Sequence, residues 1–132
     1  MDLEDLGFGA VGSRSTDPKL KSGVRFEITA LQDERAIYAF SVEGSVKYIG
    51  ICDSSDTTLR ARLSRYQSMV GAGTNKRIAG LIRQRLSDGH VVRILAWKPE
   101  AVFRVRELQV DLVKGLENPL IRALRPEWNI HR

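Results

Sequence analysis

A chain of 132 residues is long enough to bury one real core and too short for two, and its 42% hydrophobic and 28% charged content is that of an ordinary globular domain. A single cysteine, Cys52, excludes an internal disulfide framework and a cysteine-based zinc cluster, and no apolar run approaches the roughly 18–20 residues of a membrane span. The net charge of +5 favours polyanionic partners, and the acidic opening MDLEDLGFGA carries no secretory pattern, so a cytoplasmic protein is expected.

Residues 1–24 read as a flexible arm, because GFGAVGSRSTDPKLKSG is rich in Gly, Ser and Pro and shows no sustained apolar period. The folded domain is expected over 25–132. VRFEITAL, from Val24, fits a short edge strand or an irregular lead-in equally well. AIYAFSV and VKYIGIC flank EGS, a short Gly-bearing connection that closes a hairpin. The period then switches. DSSDTTLRARLSRYQSM predicts a helix capped by Asp56 or Thr57, with Leu59, Leu63 and Tyr66 on one stripe. GAGTNKRIAGLIRQRLSDG predicts a Gly-rich loop, a second helix capped by Thr74 and a stop at Gly89.

HVVRILAW is dense in β-branched residues and predicts a strand. PEAVFRVRELQVDLVKGLE predicts a long helix with Pro99 in its first turn. Its core stripe is Val105, Leu108, Leu112 and Leu116, widened by Val110 and Val113. NPLIRAL restarts a short helix, capped by Asn118 with Pro119 in the first position. The expected order is ββααβαα, an α+β sandwich with a small, mostly antiparallel three-stranded sheet flanked by helices.

Several side chains stand out against this frame. Tyr38 and Tyr48 lie an even number of residues apart in the hairpin, which lets both face one side. Two packed sheet aromatics explain them blandly; two hydroxyls aimed at one phosphate explain them chemically. Arg62 and Tyr66 lie four apart, one turn from each other on a helix face shared with Leu59 and Leu63, where a bland charge is less expected. Glu117 continues the Val110–Val113 stripe and so points to the apolar side of its helix. Lys76 and Arg77 follow a Gly-rich loop at a helix start, either as phosphate contacts or as a solvated face. His90 and His131 match no catalytic pattern.

AIY at Tyr38 and YIG at Tyr48 resemble the two motifs that name the GIY-YIG nuclease superfamily, and the resemblance spans residues 36–129. It is closest to the nuclease domain of the bacterial excision-repair incision subunit, which reads in outline YVG, a spacer, then LxxRLxSY. Here stands TLRARLSRY, which puts Arg62 at the catalytic arginine and Tyr66 at the following tyrosine. That branch continues LLLExxLIKxxxPxYN, and GLENPLIRALRPEWN puts Glu117 at the metal-binding glutamate and Asn129 at the supporting asparagine. Four departures accompany the match. Ala36 replaces a motif glycine, Ile51 stands where that branch has a lysine, Trp128 replaces a tyrosine, and the spacer ICDSSDTT is about four residues longer.

The resemblance implies a DNA endonuclease dependent on Mg2+ or Mn2+, leaving 5′-phosphate and 3′-hydroxyl ends. Tyr38 or Tyr48 would act as general base, Arg62 would stabilise the transition state beside Tyr66, and Glu117 would hold the metal. Gly50 would admit a close backbone approach and Asn129 would orient the site. Duplex or branched DNA is the implied partner, in repair or restriction, with specificity from a homodimer or a second protein and with no membrane. Two alternatives stay open. One is a non-catalytic nucleic-acid-binding module on the same fold, which Ile51 favours; the other is a partner-binding domain whose tyrosines are only core.

Overall fold

The computed structural model describes every residue except 1, 17, 21, 54–56, 69–72, 131 and 132. In chain order the elements are Leu3–Leu6 (α1), Gly9–Thr16 (β1), Val24–Ile28 (β2), Ala36–Val42 (β3), Ser45–Cys52 (β4), Leu59–Ser68 (α2), Gly73–Ser87 (α3), Val92–Trp97 (β5), Phe103–Val105 (β6), Leu108–Val110 (β7) and Leu112–Leu124 (α4). Five strands form one sheet in the order β2-β1-β5-β3-β4, and every neighbouring pair is antiparallel. The α+β class holds, but the sheet has five strands where three were expected.

The two additional strands come from the segment expected to start the chain as an arm and from the lead-in after it. Asp2 caps α1 by accepting the Glu4 N–H at 3.0 Å, and Leu3, Phe8 and Val11 are buried. β1 then runs as an interior strand between β2 and β5. Its glycines resemble loop composition, but Gly12 is a packing glycine. A Cβ there would run into the Glu27 backbone of the neighbouring strand.

Side-chain alternation across β3 and β4 builds two cores. Tyr38, Phe40 and Tyr48 face Leu59, Leu63 and Tyr66 of α2 and Ile78 and Ile82 of α3. Ile37, Ala39 and Ile49 face Val113, Leu120 and Ile121 of α4. A strand covered on both faces is buried at every position, which is why AIYAFSV is apolar at every residue but Ser41. Gly50 pairs with Tyr38 and lies beneath its ring, where an added Cβ would stand 2.5 Å from the hydroxyl.

The helix boundaries correct several expectations. Thr58, not Thr57, caps α2 by accepting the Ala61 N–H at 3.3 Å, and Asp56 lies outside the described residues. Thr74 sits inside the first turn of α3 rather than before it. The stop at Gly89 holds. Gly89 takes φ +82°, and its N–H and that of His90 close on the carbonyls of Leu86 and Arg85.

The long helix expected from Pro99 to Glu117 is instead a hairpin followed by a helix. β6 and β7 pair across a two-residue turn in which Arg106 takes φ +56°. Val105 and Leu108, expected in the core, are 53% and 67% exposed. Apolar residues at 103, 105, 108 and 110 satisfy a two-residue period folded at a turn, and the β-branched valines favour it over the helical stripe. Asp111 then caps α4, accepting the N–H groups of Val113 and Lys114. α4 runs through Asn118 and Pro119 without a restart, so neither is a cap. Pro119 removes one helical hydrogen bond, and burial of Leu120 and Ile121 beyond it holds the helix in register.

Candidate active site

β4 is an outer strand of the sheet, and the candidate site lies over its open edge. A cleft of about 320 Å³ there is lined by Tyr48 of β4, Arg62 of α2, Thr74 and Arg77 of α3, Glu117 of α4 and Asn129 of the C-terminal segment. α2 and α4 pack on opposite faces of the sheet, so only at this edge can their side chains meet around one space.

Within the site, Tyr38 is fully buried. Its hydroxyl bonds to that of Tyr66 at 2.6 Å and accepts the Arg62 Nε–H at 3.2 Å. The Arg62 guanidinium carbon stands 5.5 Å from the centre of the Tyr66 ring. Burial pushes the Tyr38 hydroxyl well above its ordinary range, the nearby Tyr48 adds to this, and Arg62 only partly opposes it. Burial also raises Tyr66, with Tyr38 adding to the effect. Both are neutral phenols at neutral pH, and they fix the Nε side of an always-ionised arginine. Tyr48 differs. It is 8% exposed and lines the cleft itself, its ring 6.2 Å from that of Tyr38.

Glu117 is half-buried in the same cleft and makes no ion pair among the described residues. Burial raises its carboxyl from the ordinary value and the nearby Asp53 adds to this, while Arg62 pulls it down. No group of three or more His, Cys, Asp or Glu side chains that could cage a metal ion occurs among the described residues. A single carboxylate in a cleft lined by both polar and apolar groups suits Mg2+ or Mn2+, which keep several waters and take other ligands from a substrate phosphate.

Asn129 fastens the C-terminal segment along β4. Its Oδ1 accepts the Ile49 N–H at 2.9 Å and its Nδ2 donates to the Ile49 carbonyl at 2.9 Å. The Trp128 N–H reaches the Lys47 carbonyl at 2.8 Å, beside the register shift that follows Phe40, and Arg77 Nη2 donates to the Trp128 carbonyl at 2.8 Å. These bonds pair the outer edge of β4 at Lys47 and Ile49.

The structure thus brings Tyr48, Arg62, Arg77, Glu117 and Asn129 to one cleft, with Tyr38, Gly50 and Tyr66 packed behind it. Lys76 is exposed and outside that lining, as is half-buried His90; His131 is not among the described residues. Ile51 packs on the α4 side of the sheet, facing away from Tyr48 and Gly50, so no cation projects from that position toward Arg62. Thr74 and Asn118 line the cleft without having been singled out for it, and Asp53 stands near enough to Glu117 to influence its charge. The hint for Asp53 was its place directly after YIGIC. A larger hollow of about 400 Å³ beside the start of α4 has its charges paired as Lys98–Glu34 and Arg35–Asp111 and contains none of these groups.

Two solved structures share this architecture. A point mutant of bacteriophage T4 EndoII matches over 92% of this chain and 91% of that one, with a TM-score of 0.63 and 18% identity. The restriction endonuclease HPY188I in complex with product DNA matches over 93% of this chain and 79% of that one, with a TM-score of 0.52 and 19% identity. No family model and no curated protein matches the sequence. The chain shares the fold of these two structures. No helix among the described residues is long and apolar enough to cross a membrane.

Proposed function

We propose that this protein is a DNA endonuclease that hydrolyses phosphodiester bonds with a divalent metal ion held by Glu117. The observation that carries the reading is the convergence of Tyr48, Arg62 and Glu117, from a strand and two helices, on one cleft at the edge of β4. A fold shared with two endonucleases, one of them solved on product DNA, supports it.

In this reading Glu117 would hold a divalent ion, whose chemistry when bound would be Lewis-acid neutralisation of the phosphoryl charge. The raised carboxyl fits that duty, because a half-buried carboxylate that no ion pair among the described residues neutralises gains from a metal partner. Arg62 keeps Nε on the Tyr38 hydroxyl and turns its remaining donors to the phosphate, where charge grows in the transition state. Tyr38 is then a positioning residue. Its hydroxyl is buried and already hydrogen-bonded, whereas Tyr48 borders the cleft and, as its phenolate, would take the proton of the attacking water to become the neutral phenol. Arg77 adds a second cation to the cleft, from the helix on the sheet face opposite Glu117's helix.

The test is cleavage of plasmid, branched and single-stranded DNA in Mg2+ or Mn2+. Glu117→Gln is expected to lower the rate roughly 100-fold or more while leaving the unfolding midpoint intact. Cleavage that survives Glu117→Gln unchanged defeats the assignment. Salt-sensitive DNA binding with no metal-dependent cutting replaces it with the non-catalytic binding module.

A further inference from the structure

The hairpin β6–β7 leaves an apolar face without a partner. In its register Phe103 opposes Val110 and Val105 opposes Leu108, so these four side chains share one face, while Arg104 and Gln109 share the other. At the base, Val110 packs on α4, where a Cβ added to Gly115 would stand 3.4 Å from it. Beyond that anchor Phe103, Val105 and Leu108 are 53%, 53% and 67% exposed, and the adjoining Val102 is 65% exposed. An isolated two-stranded ribbon is marginal in water, and a hydrocarbon face on one is a surface that something covers.

We propose that this face is the self-association surface of the protein, and that two copies pack ribbon on ribbon about a two-fold axis. The face itself bears no charge, which disfavours a phosphate backbone as its occupant. The surrounding charges favour a second copy. Residues 99–110 carry Glu100 and Glu107 against Arg104 and Arg106, a net charge of zero in a chain of +5. Two like-charged copies therefore meet at this ribbon with little repulsion, and stacking them antiparallel sets the Arg106 tip of one toward the Glu100 base of the other. One argument rests on the endonuclease reading. A single chain offers one cleft, whereas cutting both strands of a duplex calls for two, related by a two-fold axis as the strands are.

The ribbon is small against a standard interface, so association in the micromolar range is expected, with bound duplex adding avidity. Sedimentation of the full chain from about 1 to 100 µM spans that range. The wild-type protein is expected to approach twice 14.8 kDa. Leu108→Asp puts a charge in the middle of the face at an exposed position and is expected to weaken association at least roughly tenfold with unchanged thermal unfolding. Leu108→Ile is expected to retain it. On supercoiled plasmid the wild type would linearise and Leu108→Asp would accumulate nicked circles.

A wild-type monomer throughout this range overturns the proposal, as does a Leu108→Asp variant that keeps the doubled mass. A monomer that instead partitions onto phosphatidylcholine vesicles also overturns it, in favour of a membrane surface. The two readings fail separately. A dimer that cuts nothing defeats the endonuclease alone, and a monomer that cuts defeats the self-association alone.

Discussion

Tyr38 carries more of the site than any other single side chain, although it does not border the cleft. Tyr38→Phe removes one oxygen that serves both the Tyr66 hydroxyl and the Arg62 Nε–H, leaving each with a buried or half-buried group to satisfy. The expected cost is about 1–3 kcal/mol of stability, read as a lower urea midpoint at unchanged slope. If Tyr38 positions Arg62, DNA cleavage falls as well, while Leu63→Met, a volume-conserving core change on the same helix, lowers it little. The tyrosine spacing made a shared face legible, and so did the four-residue interval between Arg62 and Tyr66. What the spacing could not show is that α2 closes over Tyr38 and leaves Tyr48 as the wetter phenol. That distinction depends on packing between elements 28 residues apart along the chain, as the Tyr38–Tyr66 bond is.

Among the elements, the C-terminal segment shows how a short stretch outside any helix or strand can shape a site. Asn129 imitates a strand residue, its amide offering Ile49 one acceptor and one donor. Asn129→Asp keeps the acceptor for the Ile49 N–H but sets a carboxylate oxygen against the Ile49 carbonyl. A loss of roughly 1–3 kcal/mol is expected, with faster hydrogen exchange along the outer edge of β4. Asn129 could be singled out through the motif that contains it, whereas its role in pairing β4 could not. The misread elements share one cause. Gly and Ser in β1 resemble loop composition until a neighbouring strand is present to crowd Gly12, and the valines of β6–β7 satisfy two periods until the turn at Arg106 selects one. Local composition is a weak guide wherever a partner element supplies the reason for a residue.

For the molecule as a whole, the charge balance makes a prediction that needs no detail of the site. If the proposed DNA binding runs through phosphates, this chain of +5 is expected to lose affinity steeply between 50 and 200 mM salt, with Lys76→Ala lowering the slope by about one if that exposed lysine meets a phosphate. Titration of labelled duplex at several salt concentrations measures it, and an unchanged slope removes Lys76 from the interface. The sequence by itself determined the class, the central hairpin, the two helices after it and the interest of Tyr48, Arg62, Arg77, Glu117 and Asn129, because those follow from periodicity and from short motifs. Only the tertiary structure decided that the sheet has five strands, that β1 lies inside it and that the site opens at its edge. Those facts depend on which surfaces find one another in space, and burial is a property of the folded neighbour as much as of the residue buried.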